Sequence, residues 1–329
     1  MENKAIIDKA NARLKAATYC PKKLAFLHAG ISTGVTLLLA VVSHLLVASM
    51  DNAVGIAGLE TRIILSFIQT CLLFATTLAL PFWDLGYTRA CVCYSKGQTP
   101  TPADLLSGFR KFAPALRLML LRILAMGALV MMTMQAATFL FMLSPLSLTV
   151  MEKIEPLLSG TPAPTPELMA KIMPNFIPLY VIWAVVGIGV FLPIFYRFRL
   201  ADFALMDDAK GAISAFSRSA RQTKGRCKQL FLLDLGFWWY YLLLVLCVAV
   251  SYLDMLLPRL GIALNTDIAF WVFTVLGQLG NLTIAVFCTP KIKTAYAHFY
   301  QMRTNRQEAF IPASFIPETD TRNFPDKKA

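Results

Sequence analysis

The sequence predicts an all-α membrane protein, with six transmembrane helices and short amphipathic helices on the cytoplasmic side. Three observations lead there. Of 329 residues, 57% are apolar and only 15% charged, against roughly 45–50% and 25% in an ordinary soluble domain. The charges fall in blocks separated by apolar runs of about 20 residues, the length that crosses a 30 Å hydrocarbon core. Lys and Arg then alternate from one side to the other along the chain, as the positive-inside rule requires. A soluble globular enzyme and a disordered chain are excluded. The net charge of +12 does not make the chain a nucleic-acid binder, because its cations lie between spans rather than on one folded soluble face.

Residues 1–23 form the first segment. Ile7, Ala10, Leu14 and Ala17 share one helical face, with Lys4, Lys9, Arg13 and Lys15 around the rest. Such a helix is expected on the inner leaflet, its stripe in the headgroup boundary. Residues 24–290 hold the six-helix transmembrane domain. The spans are expected at Leu24–Val47, Ile63–Trp83, Ile123–Leu143, Phe176–Phe195, Leu235–Leu256 and Ile268–Cys288. Backbone amides in lipid must pair within their own segment, so each run is a helix. Each is apolar all round, unlike the one-sided helix of a soluble bundle. The first span follows a basic region too long for a secretory signal and exceeds a signal core, so it reads as an uncleaved anchor.

Of the 31 basic residues, 27 fall on one side and only Arg62, Lys153, Lys171 and Arg259 on the other. Both termini are therefore expected in the cytoplasm. Cys20, Cys91, Cys93 and Cys227 then face the reducing side and Cys71, Cys247 and Cys288 lie in spans, so no structural disulfide is expected. Cys91-x-Cys93 lacks the second ligand pair that zinc needs.

Between the spans, Asp207–Gln229 is the most basic loop. Lys210, Arg218, Arg221, Lys224, Arg226 and Lys228 make it the candidate lipid- or partner-binding segment, with Gly225 breaking it before the next span. Trp238, Trp239, Tyr240 and Tyr241 follow as an interfacial aromatic anchor. Thr101–Leu116, with Phe109-Arg-Lys-Phe112, reads as a similar interfacial stretch. Outside, Ser144–Asn175 reads as a polar loop without a core pattern. The cytoplasmic tail, 291–329, is expected to be partly disordered from Arg303 onward.

No catalytic constellation emerges. No Gly-rich phosphate loop and no His-Glu-x-x-His occur, and with three histidines no metal or other cofactor is expected. Gly30-Ile-Ser-Thr-Gly34 matches a nucleophile pattern that belongs on a strand-to-helix turn. Inside a membrane helix the same glycines are candidates for close helix packing. The spans carry no mid-membrane charge, which argues against a proton pump. Their candidate midplane polar groups are Gln135, Gln278 and Asn281. Gly277-Gln-Leu-Gly-Asn281 is a possible weak point of the kind transporters use for substrate.

The block Ala201–Trp238 holds Asp207-Asp208, Ser217-Arg218, Lys224-Gly225 and Phe231-Leu-Leu-Asp-Leu235 leading into Phe237-Trp238. In this order of features it resembles the bacterial domain-of-unknown-function family 975. Arg197–Ala201 and the opening Ile6–Ala17 fit the same family. The resemblance implies an integral protein of the bacterial cytoplasmic membrane and carries no assigned activity.

The expectation for function is a non-enzymatic, multi-pass membrane protein that organises partners or lipid through its basic cytoplasmic face. Its partners would be the bilayer, anionic lipid headgroups and other membrane proteins, and not nucleic acid. The alternative is a small-molecule permease, or the membrane subunit of a transporter, built around the midplane polar residues.

Overall fold

The computed structural model describes residues 2–17, 20–52, 55–158, 176–253 and 266–308. Among them there is no strand. The helices in chain order are α1 (Glu2–Ala16), α2 (Pro21–Asn52), α3 (Gly55–Lys96), α4 (Ser107–Arg110, preceded by a 3-10 turn at Pro102–Leu106), α5 (Phe112–Leu143) and α6 (Pro145–Leu158). There follow α7 (Ile177–Arg199), α8 (Ala201–Asp207), α9 (Ala212–Thr223), α10 (Cys227–Leu235), α11 (Trp238–Ser251), α12 (Thr266–Phe287) and α13 (Thr289–Glu308).

The chain is an all-α polytopic membrane protein. Five of the six expected spans are single helices long and apolar enough to cross a bilayer, and the pair α10–α11 is a sixth, bent by 63°. That bend corrects the expectation of one continuous helix over Leu235–Leu256. Gly236 caps α10, its N–H shared among the carbonyls of Leu232, Leu233 and Asp234, and α11 restarts at Trp238. The Gly277–Asn281 stretch, in contrast, is not a weak point, because α12 runs unbroken through it. Gly277 and Gly280 face α11, where a Cβ would overlap Ser251 Oγ and Cys247 Sγ. These glycines let two membrane helices touch.

In the membrane the helices pack as two groups. α3, α2, α12 and α11 stand in a row, each on the next, while α5 packs along α7. Within the pair, Trp183 Nε1 donates to Thr133 Oγ1 at 3.3 Å. The two groups are joined mainly at one end, where α8 lies on α3, α9 lies on both α5 and α7, and α13 touches α2, α3, α8 and α9. This end is built from the segments that carry the Lys and Arg, and is called here the basic layer.

The main core lies in this layer rather than between the spans. Tyr87, Tyr94, Tyr296, Tyr300, Phe82 and Phe299 are its largest fully buried side chains. A bilayer gives apolar surface no incentive to leave it, whereas at the aqueous end burial stabilises by about 25 cal/mol per Å². Here α3 extends past Trp83 to Lys96, carrying Ala90, Cys91, Val92 and Tyr94 into the core. It ends at Gly97 (φ +76°), where the N–H of Gln98 reaches the carbonyl of Cys93 at 2.9 Å. A Cβ on Gly86 would overlap the Leu105 carbonyl, and one on Gly108 the Phe82 carbonyl. Only glycine lets the 3-10 turn and α4 lie against α3.

Three expectations change. The stripe of α1 is not in the headgroup boundary: Ala10 is buried with Ile6, and Ile7, Leu14 and Ala17 pack on the same core, against α13. A protein groove offered closer packing than lipid would. The Ser144–Asn175 loop is partly helical, over Pro145–Leu158, where Val150 and Ile154 of α6 form a small core with Phe141. The tail is ordered helix through Glu308, with Arg303 and Thr304 buried; its Phe310-Ile-Pro and Phe315-Ile-Pro duplication lies outside the described residues.

Candidate functional site

Five carboxylates of the basic layer have basic partners within it, while Asp8 of α1 is exposed and makes no ion pair among the described residues. Asp84 accepts Lys293 Nζ at 2.5 Å, with His28 Nε2 at 3.7 Å. Asp202 accepts Arg122 at 2.7 Å. Asp207 takes Lys96 at 2.5 Å and Gln301 Nε2 at 3.2 Å, and Asp208 lies 3.9 Å from Arg218. The densest network surrounds Asp234, at the bend between α10 and α11. Tyr196 and Tyr241 each donate a hydroxyl to it at 2.7 Å. Tyr296 donates a third. Arg199 adds an ion pair at 3.1 Å while lying 4.2 Å from the Tyr296 ring centroid. Burial above all, with the neighbouring carboxylate, holds the Tyr296 hydroxyl far above its ordinary value despite the arginine. The phenol therefore stays protonated and donates. One carboxylate thus ties together α7, the bent pair and α13.

The six basic residues of the candidate segment divide. Helix α9 turns Ala212, Ala215, Ser219 and Gln222 inward at helical spacing and leaves Ile213, Ser217, Arg221 and Lys224 outside. Arg218 sits at the edge of the buried face, donating to Thr304 Oγ1 at 3.4 Å with Tyr300's ring 5.4 Å away. Burial pushes the Tyr300 hydroxyl up to about 12. Arg226 donates to Gln229 Oε1 at 3.1 Å. Arg218 therefore ties α9 to α13, while Arg226 is half-buried and bonds within its own turn. Lys210, Arg221, Lys224 and Lys228 are exposed, and no described carboxylate lies within ion-pair distance of them. Gly225 (φ +71°) breaks the segment where the sequence indicated.

The segment also touches the membrane boundary. Gly211–Ser214 line an apolar groove of about 440 Å³ with Arg117, Leu120, Leu121 and Leu124 of α5. Ile213 is 78% exposed and Leu124, inside the apolar span, 71%. A contiguous exposed apolar surface of this kind is the sort that acyl chains or a partner cover.

The midplane residues fall differently. Gln135 is exposed on α5. Gln278 and Asn281 line a pocket of about 340 Å³ with Ser251, Tyr252 and Thr274, where α11 ends. Gln278 lies ten residues before Cys288, about 15 Å along the helix and so near the middle of a 30 Å core. Neither Gly30 nor Gly34 has an atom within 4 Å of a built Cβ, so they make no close helix contact within the described chain.

The Asp234 network, Lys293–Asp84 and Thr133–Trp183 were not singled out from sequence. Asp84 and Asp234 at span edges were the available signal, since a carboxylate beside lipid needs a partner. Comparison with family models, curated proteins and solved structures finds no match.

Proposed function

We propose that the chain is a non-enzymatic, multi-pass protein of the bacterial cytoplasmic membrane, with both termini in the cytoplasm. In this reading it organises anionic lipid, and through it neighbouring membrane proteins, at its basic face. The observation that carries the proposal is the segregation of charge. The carboxylates Asp84, Asp202, Asp207, Asp208 and Asp234 are held within the layer by basic partners. Lys210, Arg221, Lys224 and Lys228 remain exposed. Cations near an anionic leaflet contribute about 1 kcal/mol each. The exposed Ile213 beside the lipid-level Leu124 favours a membrane partner over a soluble one. The test is lipid analysis of native nanodiscs excised from the membrane. Wild type should carry more phosphatidylglycerol and cardiolipin than the bulk bilayer, and a Lys210→Gln/Arg221→Gln/Lys224→Gln/Lys228→Gln variant should lose most of that excess.

A second reading, a small-molecule permease or the membrane subunit of a transporter, is favoured by the midplane pocket around Gln278. A metabolite screen decides between them. A compound that stabilises wild type thermally but not Gln278→Leu would support the permease, because a bound ligand raises stability through its affinity.

A further inference from the structure

A second basic cleft lies away from α9 and α10, where the last turn of α1, the first turns of α2 and α13 and the end of α12 meet. Its volume is about 620 Å³. Lys15, Lys22 and Lys291 come to it from three different helices, and Leu14, Val286 and Phe287 supply its apolar side. Among the described residues none of the three lysines is ion-paired. The Lys22 ammonium lies 5.0 Å from the centroid of the Phe287 ring, a weak cation–π partner that an anion would supersede.

The depth of the cleft is fixed by the chain. Lys22 stands two residues before the expected start of the first span at Leu24, and Lys291 three residues after the expected end of the last at Cys288. At about 1.5 Å per residue both lie within 5 Å of the hydrocarbon edge, at the level of lipid phosphates. Phe287, in the last turn of a membrane helix, is 51% exposed. The cleft therefore presents ammonium groups at phosphate level over an apolar wall at acyl-chain level.

We infer that this cleft binds the headgroup phosphate of one anionic phospholipid of the inner leaflet, with an acyl chain against Val286 and Phe287. The three ammonium groups match the anionic phosphate, and basic pockets between membrane helices on the cytoplasmic side are the known setting for such headgroups. A free phosphate would engage the lysines and leave the apolar wall bare. The inference shares the membrane orientation of the proposed function but not its α9–α10 cations, so the two can fail separately.

The purified full-length protein is titrated with phosphatidylglycerol in detergent and bound lipid counted by native mass spectrometry. Wild type should bind one tightly. Lys15→Gln/Lys22→Gln/Lys291→Gln should bind it on the order of 100-fold more weakly, three cations at about 1 kcal/mol each. The corresponding triple Lys→Arg variant should restore binding, which separates lost charge from lost fold. The variant neutralised at Lys210, Arg221, Lys224 and Lys228 should keep this lipid. Equal binding of phosphatidylcholine, or retention of phosphatidylglycerol by the Gln triple variant, would overturn the inference. Displacement by glycerol phosphate at the same concentration as the lipid would also overturn it, by assigning the cleft to a soluble anion.

Discussion

Replacing Asp234 by Asn removes one charge from the network at the bend and keeps the shape of the side chain. Three tyrosine hydroxyls and Arg199 converge on this carboxylate. The ion pair is well shielded, the two side chains being 22% and 12% exposed. Removing one partner of a buried pair costs about 3–5 kcal/mol, because the other charge is left uncompensated. Hydrogen bonds to a charged acceptor also exceed those to a neutral one by about 1 kcal/mol. An Asn oxygen still accepts from two hydroxyls, and Arg199 keeps its place over the Tyr296 ring, so a loss near 3 kcal/mol is expected. Chemical unfolding in micelles, followed by tryptophan fluorescence, measures it, since Trp238 and Trp239 lie just past the bend. The decisive comparison is the double variant. Arg199→Leu should cost less in the Asp234→Asn background than in wild type, by about 1–3 kcal/mol of coupling. Additive losses, or a single-variant loss under about 1 kcal/mol, would refute the view that this network fixes the bend.

Three further outcomes are expected. Gly86→Ala should destabilise by about 1–3 kcal/mol through collision with the Leu105 carbonyl, whereas Gly30→Ala and Gly34→Ala should leave monomer unfolding within about 0.5 kcal/mol of wild type. Burial, then Lys9 and Arg13, holds His298 below its ordinary value of 6.5. Above that value both folded and unfolded states are neutral there. As pH falls below it the unfolded chain takes up the proton first, so stability declines until the folded value is passed, and a pH series on His298→Gln should lack this portion of the decline. In intact cells an impermeant maleimide should label a Ser159→Cys variant and not the native protein; outside labelling of native Cys20 would reverse the orientation. In inside-out vesicles Cys20 should react ahead of the buried Cys91 and Cys93, because backbone N–H groups of Lys23 and Lys22 lower its thiol.

The spans were legible because a single physical rule, apolar length, governs them. Five of the six appear as single helices, but three of these run on by more than ten residues past the expected limit at the basic end. The bend before Trp238 was not legible, since Gly236 marks a break only once Asp234 is known to be held by residues 35 to 62 positions away. The stripe of α1 was read correctly as a stripe and wrongly as a lipid contact. Periodicity shows that one face is covered without saying by what, and here α13 covers it. Sequence also grouped six cations that the fold separates, because the inward turn of Arg218 depends on Asp208 and Thr304. The polar pocket at Gln278 was half legible: the residues were named, and the end of α11 beside them was not.

The most direct test of the charge segregation uses two variants and two readouts on the full-length protein in bilayers. Electron spin resonance of spin-labelled lipids gives the preference for phosphatidylglycerol over phosphatidylcholine, and chemical unfolding in micelles gives stability. Neutralising the exposed Lys210, Arg221, Lys224 and Lys228 should abolish most of the preference, which in wild type should also fade with salt, and leave stability nearly unchanged. Neutralising the half-buried Arg218 and Arg226, both hydrogen-bonded within the protein, should lower stability and leave the preference in place. If the exposed set left the preference intact, or if the two sets behaved alike, the basic face would be a topology signal and the lipid-organising account would be wrong.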